Sequence, residues 1–241
     1  MKNLTAKILT IGLTATLFVG CLTACKTSSI GVTNMAAGTK IEQNEAGELK
    51  VGGWSVPASH EVTEEHKKIY KNACSKYDGT GSSHEPVALL ATQVVNGTNY
   101  CFYCQSTVKS SKGPLSPVIM YINVNSSGEA DFIKTDREFF YDNKGEVVPG
   151  GWENMADPTI TEDIKKVLSK ATETLAGESY EPVAYIATQV VAGKNHAILC
   201  KATPSTKGLS NEAKYVVLTI YENLEGKCEI TKTTDVKIEI G

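Results

Sequence analysis

From Glu85 to Gly97 the chain reads EPVALLATQVVNG, and from Glu181 to Gly193 it reads EPVAYIATQVVAG, ten identities in thirteen positions at a constant offset of 96. A duplication in frame means that whatever one copy folds into, the other folds into as well. The repeat extends outward once short insertions are allowed. Gly52-Gly53-Trp54 answers to Gly150-Gly151-Trp152, Thr63-Glu64-Glu65 with Lys67-Lys68 to Thr161-Glu162-Asp163 with Lys165-Lys166, and Tyr121-Ile122 falls opposite Thr219-Ile220. Each copy spans roughly ninety residues, an ordinary size for one small domain.

Ahead of both copies, Lys2 and Lys7 precede an uncharged apolar stretch from Ile8 to Leu22 and then Leu22-Thr23-Ala24-Cys25. A basic start, a short apolar run and small residues before a fixed point read as an export leader over residues 1–24. The Leu-small-small-Cys order resembles the lipobox of bacterial lipoproteins, which implies cleavage before Cys25 and a lipid on its sulfur. Cys21 fits that pattern less well, and an ordinary cleaved leader or an uncleaved anchor are the alternatives. The expectation is an exported chain anchored in a membrane through Cys25, at a bacterial cell surface. Residues 25–50 carry few bulky apolar groups and read as a flexible tether. The first domain is expected over 51–141, ending near Phe139-Phe140-Tyr141. Asp142-Asn143-Lys144-Gly145 supplies turn chemistry for a linker over 142–149, and the second domain follows over 150–241.

Losing the leader removes two lysines and no acid, which moves the formal charge from −3 to −5. The lysines alternate with acids along the helical segments, as on a solvated face, and no basic stripe could neutralise a row of phosphates. Nucleic acid is therefore excluded as a partner class.

In the second copy Ile164, Val167, Leu168, Ala171 and Leu175 recur at three- and four-residue intervals, which predicts one helical face. Thr161 is a candidate N-cap, with Glu162 and Asp163 at the positive end of the helix dipole. The first copy repeats the pattern with Thr63, Glu64 and Glu65 before Ile69, Tyr70, Ala73 and Tyr77. Runs rich in Val, Ile and Tyr, punctuated by Gly, Asn and Ser, follow each helix and predict antiparallel strands. They fall near 85–95, 98–107, 118–124 and 130–135 in copy one, and near 181–191, 194–202, 215–222 and 227–237 in copy two. The fold class expected is α+β, one long helix packed across an antiparallel sheet in each domain, with the core between the two layers.

Besides Cys21 and Cys25 there are five cysteines, Cys74, Cys101, Cys104, Cys200 and Cys228, so at least one thiol in an exported monomer is unpaired. Cys101 and Cys104 have the spacing of a redox or zinc pair, but residues three apart on a strand point to opposite faces. Cys104 and Cys200 share the apolar parity of their strands and read as buried hydrophobes. Cys74 stands on the helix where copy two has Thr172, so a bond from it to Cys104 would be private to copy one. His60, His66, His84 and His196 are dispersed, with no nucleophile-base, paired-carboxylate, phosphate-loop or metal-ligand spacing around them. No enzyme, cofactor, metal or small-molecule substrate is expected.

A glycine near the start of each copy, one helix, a Gln-Val-Val-Ala-Gly hairpin and a following Asn-Tyr strand resemble the cystatins, in tandem over nearly the whole chain after the tether. That resemblance implies inhibition of papain-like cysteine peptidases, by wedging an N-terminal segment and two hairpins into the active-site cleft without turnover. Carried over by position, Gly53 and Gly151 would be the N-terminal glycines. Gln93, Val94, Val95, Asn96 and Gly97 would form the first hairpin of copy one, and Gln189, Val190, Val191, Ala192 and Gly193 that of copy two. The chain departs from the family at the second hairpin, where a Pro-Trp pair is usual. Here Val124-Asn125-Ser126-Ser127-Gly128 and Glu222-Asn223-Leu224-Glu225-Gly226 contain no tryptophan. Asn96-Gly97 is also a plain hairpin-turn signal needing no ligand, and Trp54 and Trp152 also read as packing anchors. The rival reading is an adhesion or scaffolding lipoprotein, and a polar pocket between helix and sheet would point instead to an enzyme.

Overall fold

The computed structural model describes residues 52–75, 82–108, 116–137, 151–205 and 212–240. The leader, Cys25, the tether and the 142–149 linker lie outside the described residues. Both repeats fall within one compact unit, Ile41–Gly241.

Copy one runs β1 (Trp54–Ser55), α1 (Glu64–Ser75), β2 (Ser82–Val95), β3 (Gly97–Val108), β4 (Ser116–Val124) and β5 (Ala130–Asp136). Copy two repeats the order as β6 (Trp152–Asn154), α2 (Glu162–Thr172), β7 (Glu178–Val191), β8 (Gly193–Pro204), β9 (Lys214–Glu222) and β10 (Cys228–Asp235). Each copy makes a five-stranded sheet in chain order, β1-β2-β3-β4-β5 and β6-β7-β8-β9-β10, with every neighbouring pair antiparallel.

The expected α+β domain with one long helix across its sheet is not what forms. The molecule is mostly antiparallel β, and its helices have only 12 and 11 residues. At 1.5 Å rise per residue each helix is about 17 Å long, against roughly 45 Å for a 14-residue strand. Leu175, read as part of the helical face, lies beyond the end of α2 and is exposed. Tyr77 lies outside the described residues.

The helix starts follow from their caps. Thr161 Oγ1 accepts from Ile164 N at 3.4 Å, while in copy one Thr63 Oγ1 accepts from His66 N and His66 Nδ1 accepts from Thr63 N, both at 3.2 Å. The second of these is a reciprocal box of the Ser/Thr–Glu kind with histidine in the acidic position.

The core lies in three seams rather than two. On one face of sheet one, Leu89, Phe102, Cys104, Met120 and Ile122 pack under Tyr70 and Ala73 of α1. On the equivalent face of sheet two, Ile198, Cys200, Leu218 and Ile220 pack under Ile164, Val167 and Leu168 of α2. The opposite faces of the two sheets close on each other, with Leu90, Tyr103, Ile119 and Tyr121 meeting Ile186, Leu199, Tyr215 and Val217. The layers run helix, sheet, sheet, helix.

The sequence carries a physical reason for this arrangement. Residues 183–187 are buried without interruption, as are residues 88–92. Continuous burial along a strand means that both faces are covered, which a single helix over a solvated sheet cannot provide.

The thiols follow the same parity. Cys101 lies in the seam between the sheets and Cys104 in the seam under α1, so they occupy opposite faces, and Cys101, Cys104, Cys200 and Cys228 are buried thiols outside any disulfide. Burial pushes the Cys200 thiol up to about 12 and raises those of Cys101, Cys104 and Cys228. These four sit in apolar surroundings where a thiolate does not form readily. Cys228 and Cys200 are separated by β9, as the sheet order requires.

Candidate functional site

Each copy brings three separate segments to one end of its sheet: the Gly-Gly-Trp stretch, the hairpin after β2 or β7, and the hairpin after β4 or β9. Trp54 pairs with Gln93 and Trp152 with Gln189, which sets the first segment beside the first hairpin. Gly52 N donates to Val94 O at 3.2 Å, and Gln93 Nε2 donates to Gly52 O at 3.1 Å. Asn99 Nδ2 then donates to Gln93 Oε1, and Asn123 Nδ2 to Asn99 Oδ1, each at 2.7 Å. An amide ladder thus runs across β2, β3 and β4 just below the tip of copy one. In copy two Asn195 Nδ2 donates to Gln189 Oε1 at 2.7 Å, and Tyr221, at the position of Asn123, donates its hydroxyl to Ala192 O. The side chains of Gln93 and Gln189 are therefore occupied in tying segments together.

Gly97 and Gly193 have φ of +113° and +121°. A Cβ on Gly97 would stand 2.1 Å from Val124 O, and one on Gly193 2.4 Å from Glu222 O. Glycine at the end of each pentapeptide is what lets the first hairpin lie against the second. Gly151 (φ +73°) is exposed with open space around it, and Gly53 is half-buried.

The second hairpins are held by the same device. Asn125 Oδ1 accepts from Ser127 N and Glu129 N at 2.9 and 3.0 Å, and Asn223 Oδ1 accepts from Glu225 N and Lys227 N at 3.0 and 2.9 Å. This side-chain mimicry of a backbone turn fixes the loop without help from a ligand. In copy two it presents Leu224, 87% exposed, beside Val190 at 78% and Val191 at 44%. In copy one the equivalent of Leu224 is Ser126, Val94 is half-buried, and Val95 is 42% exposed. Sequence reasoning named the hairpin of Leu224 only for the tryptophan it lacks; the available signal was an apolar residue at the crest of an otherwise polar turn. Asn96 and Ala192 both lie at the turn of the first hairpin and are exposed.

Trp54 and Trp152 are half-buried and pack against the seam between the sheets, with the ring centroid of Trp54 5.7 Å from that of Tyr121. They are packing anchors, but on the face away from the helix.

Below the tip of copy two lies a polar chain with no counterpart in copy one. Tyr185 OH and His196 Nδ1 are 2.9 Å apart, and His196 Nε2 is 3.2 Å from Glu222 Oε2. His196 is 3% exposed. Burial holds its imidazole below the usual histidine range, against the upward pull of Glu222, so Nε2–H donates to the carboxylate and Nδ1 accepts from the tyrosine. The equivalent residues in copy one are Leu89, Tyr100 and Val124, all three in its apolar helix-side seam.

A cavity of about 260 Å³ opens between α1 and the start of β2, lined by Lys67, Tyr70, Lys71, Cys74, Ser75, His84, Glu85 and Pro86. Its lining is as much apolar as polar, so it answers only in part to the polar pocket that an enzymatic reading would require. His84 Nε2 has no hydrogen-bond partner among the described residues, and the Tyr70 hydroxyl, which donates to Met120 Sδ at 2.9 Å, also faces the thiols of Cys74 and Cys104. No group of three or more metal-ligating side chains occurs among the described residues, and no described helix is long and apolar enough to cross a membrane.

The chain matches no protein-family model and no curated protein sequence.

Proposed function

We propose that the chain is a membrane-anchored binding protein that occludes the cleft of papain-like cysteine peptidases with the tip of its second repeat. The observation that carries this reading is the exposure of Val190, Val191 and Leu224 together on two hairpins that are already locked. Exposed apolar side chains on a rigid support lose little entropy on binding, and their burial is worth about 25 cal/mol per Å² before association costs. The Gly-Gly-Trp segment, the Gln-Val-Val-Ala-Gly hairpin and the second hairpin supply the three-part edge of a wedge, with Leu224 in place of the aromatic anchor. The inhibitor reacts with nothing, so occlusion proceeds without turnover. Attachment through Cys25 would hold this tip at the bacterial surface.

The test is titration of papain with the soluble chain from Lys26 onward. Saturable inhibition without cleavage of the chain is expected, and loss of that inhibition on changing Val190 and Leu224 to Asp. Undiminished inhibition by that variant would remove the tip from the mechanism. A non-inhibitory adhesion or scaffold role is favoured by one observation, the absence of an aromatic residue at either second hairpin. Capture of a non-peptidase surface protein through the same tip, with papain unaffected, would decide for it.

A further inference from the structure

We infer that the two tips point away from each other, so that the chain is a two-ended connector, taking one peptidase at each end, and not a clamp that closes both tips on one target. The claim about partners rests on the proposed function; the claim about geometry rests only on contacts between the two copies.

Rungs can be counted from each tip, taking Val95–Gly97 and Val191–Gly193 as the first. Lys201 and its β9 partner Tyr215 stand on the ninth rung of sheet two. The Tyr215 hydroxyl donates to Leu89 O, on the sixth rung of sheet one, at 3.4 Å. Lys201 Nζ donates at 3.1 Å to Pro57 O, two residues past the fourth-rung Ser55. The reciprocal contact also exists. Gln105, on the ninth rung of sheet one, donates Nε2 at 2.9 Å to the carbonyl of Met155, which follows the fifth-rung Asn154 of sheet two.

Gln105 and Lys201 are repeat equivalents, as are Pro57 and Met155, so the interface is isologous: the same patch of each copy meets the other about a pseudo-twofold axis. The axis direction follows from the C-terminal tail. Val236 N is bonded to Tyr215 O on the ninth rung, and three residues farther on Glu239 N donates at 3.3 Å to the hydroxyl of Tyr121, whose strand position is the fifth rung of sheet one. Moving away from tip two therefore moves toward tip one. If both tips lay at one end, Glu239 and Tyr121 would be separated by more than four rungs, at least about 14 Å along the strands, beyond the reach of a tyrosine ring.

Ninth rung against sixth places thirteen strand spacings between the tips, about 44 Å. No single peptidase cleft spans that distance with the body of the molecule in between. Linking the two copies then brings no avidity toward one target, and gives two independent sites of unequal strength. Copy one keeps its own three-part edge and exposed Val95, but its second hairpin carries Ser126 where copy two has Leu224.

Spin labels at Asn96→Cys and Leu224→Cys in a Cys74→Ser background, where the other described thiols are buried, measure the geometry without any partner. A separation of about 40 Å or more is expected, and one below about 25 Å would overturn the opposed arrangement. Titration with active-site-blocked papain then measures occupancy. Two molecules per chain are expected at saturation, and one, bound more weakly, after Val190→Asp with Leu224→Asp. A single papain per chain that this variant abolishes would overturn the two-partner claim. A long label distance with no papain bound to any form would overturn the peptidase reading and leave the geometry standing.

Discussion

The two tips are built from nearly the same thirteen residues and end in different surfaces. Copy one closes its tip with amides and hydroxyls: Gln93, Asn99 and Asn123 in a ladder, then Ser126 and Ser127 on a turn held by Asn125. Copy two keeps the framing contacts, the Gln189–Asn195 bond and the Asn223 turn, but crowns them with Val190, Val191 and Leu224. Most residues that hold the hairpins together are shared, and the surfaces differ chiefly at Ser126 against Leu224 and in Val94, half-buried, against Val190, exposed. Duplication has thus separated scaffold from surface, and the comparison shows which is which more directly than either copy alone.

The largest effect expected is on binding. Val190→Asp with Leu224→Asp should weaken papain inhibition about 100-fold or more, as for loss of a central apolar anchor pair at an interface. Val95→Asp in copy one should leave the inhibition constant of the intact chain within a few-fold. Equal losses from the two changes would break the division between the tips.

Next is the shared framework. Gly193→Ala and Gly97→Ala each force a Cβ into a backbone carbonyl at positive φ, so each should destabilise by roughly 2–4 kcal/mol in chemical denaturation. Gly151→Ala, strained in φ but with open space, should cost only about 1 kcal/mol. If Gly193→Ala proved as mild as Gly151→Ala, the first hairpin would not be docked on the second.

The duplicated frame, the strand runs and the opposite faces of Cys101 and Cys104 were legible in the sequence because each rests on a repeat or a period of two. The layer order was not. Ala88-Leu89-Leu90-Ala91 carries apolar side chains on both parities, a pattern that demands cover on both faces, which a two-layer domain of one helix over one sheet does not supply. Trp54 and Trp152 illustrate the same gap, since nothing in Gly-Gly-Trp reveals that a second sheet will stand opposite them. The tip residues could be located by motif, but whether Gln93 and Gln189 face a partner or the chain depends on Gly52, Asn99 and Asn195, which only the register brings within 3.1 Å. Leu224 belongs to no motif, and its only signal in the sequence is an apolar side chain in an otherwise polar turn.

A gain of function sharpens the comparison further. Asn96→Ala with Ser126→Leu gives copy one the tip residues of copy two on a turn that Asn125 already holds. Weak binding at that end should tighten about tenfold, the worth of roughly 1.4 kcal/mol of newly buried apolar surface. No change would mean that residues other than Asn96 and Ser126 set the difference, and the tip would have to be redrawn.

The smallest effect concerns pH and comes from the polar chain under the second tip alone. His196 is held neutral by burial, with Lys194 adding to that effect and Glu222 opposing it, so its folded pKa lies below the unfolded value. For a base shifted in this direction, folding stability is complete above the ordinary histidine range. It is lost as pH falls through that range and levels off below the lowered folded value. Protonation also turns Nδ1 into a donor facing the Tyr185 hydroxyl, which must then stop donating to it. Because Glu222 carries both the carboxylate that His196 touches and the carbonyl against which Gly193 packs, the disturbance falls on the tip that is proposed to bind. Substituting His196→Tyr, the residue found at position 100, should flatten the acid limb of stability measured by urea denaturation between pH 8 and pH 5. In the unsubstituted chain, amide protection in β8 and β9 should fall over the same interval. An acid limb of unchanged slope in the variant would show that His196 titrates alike in the folded and unfolded chain, and that the polar chain is packing without a pH response.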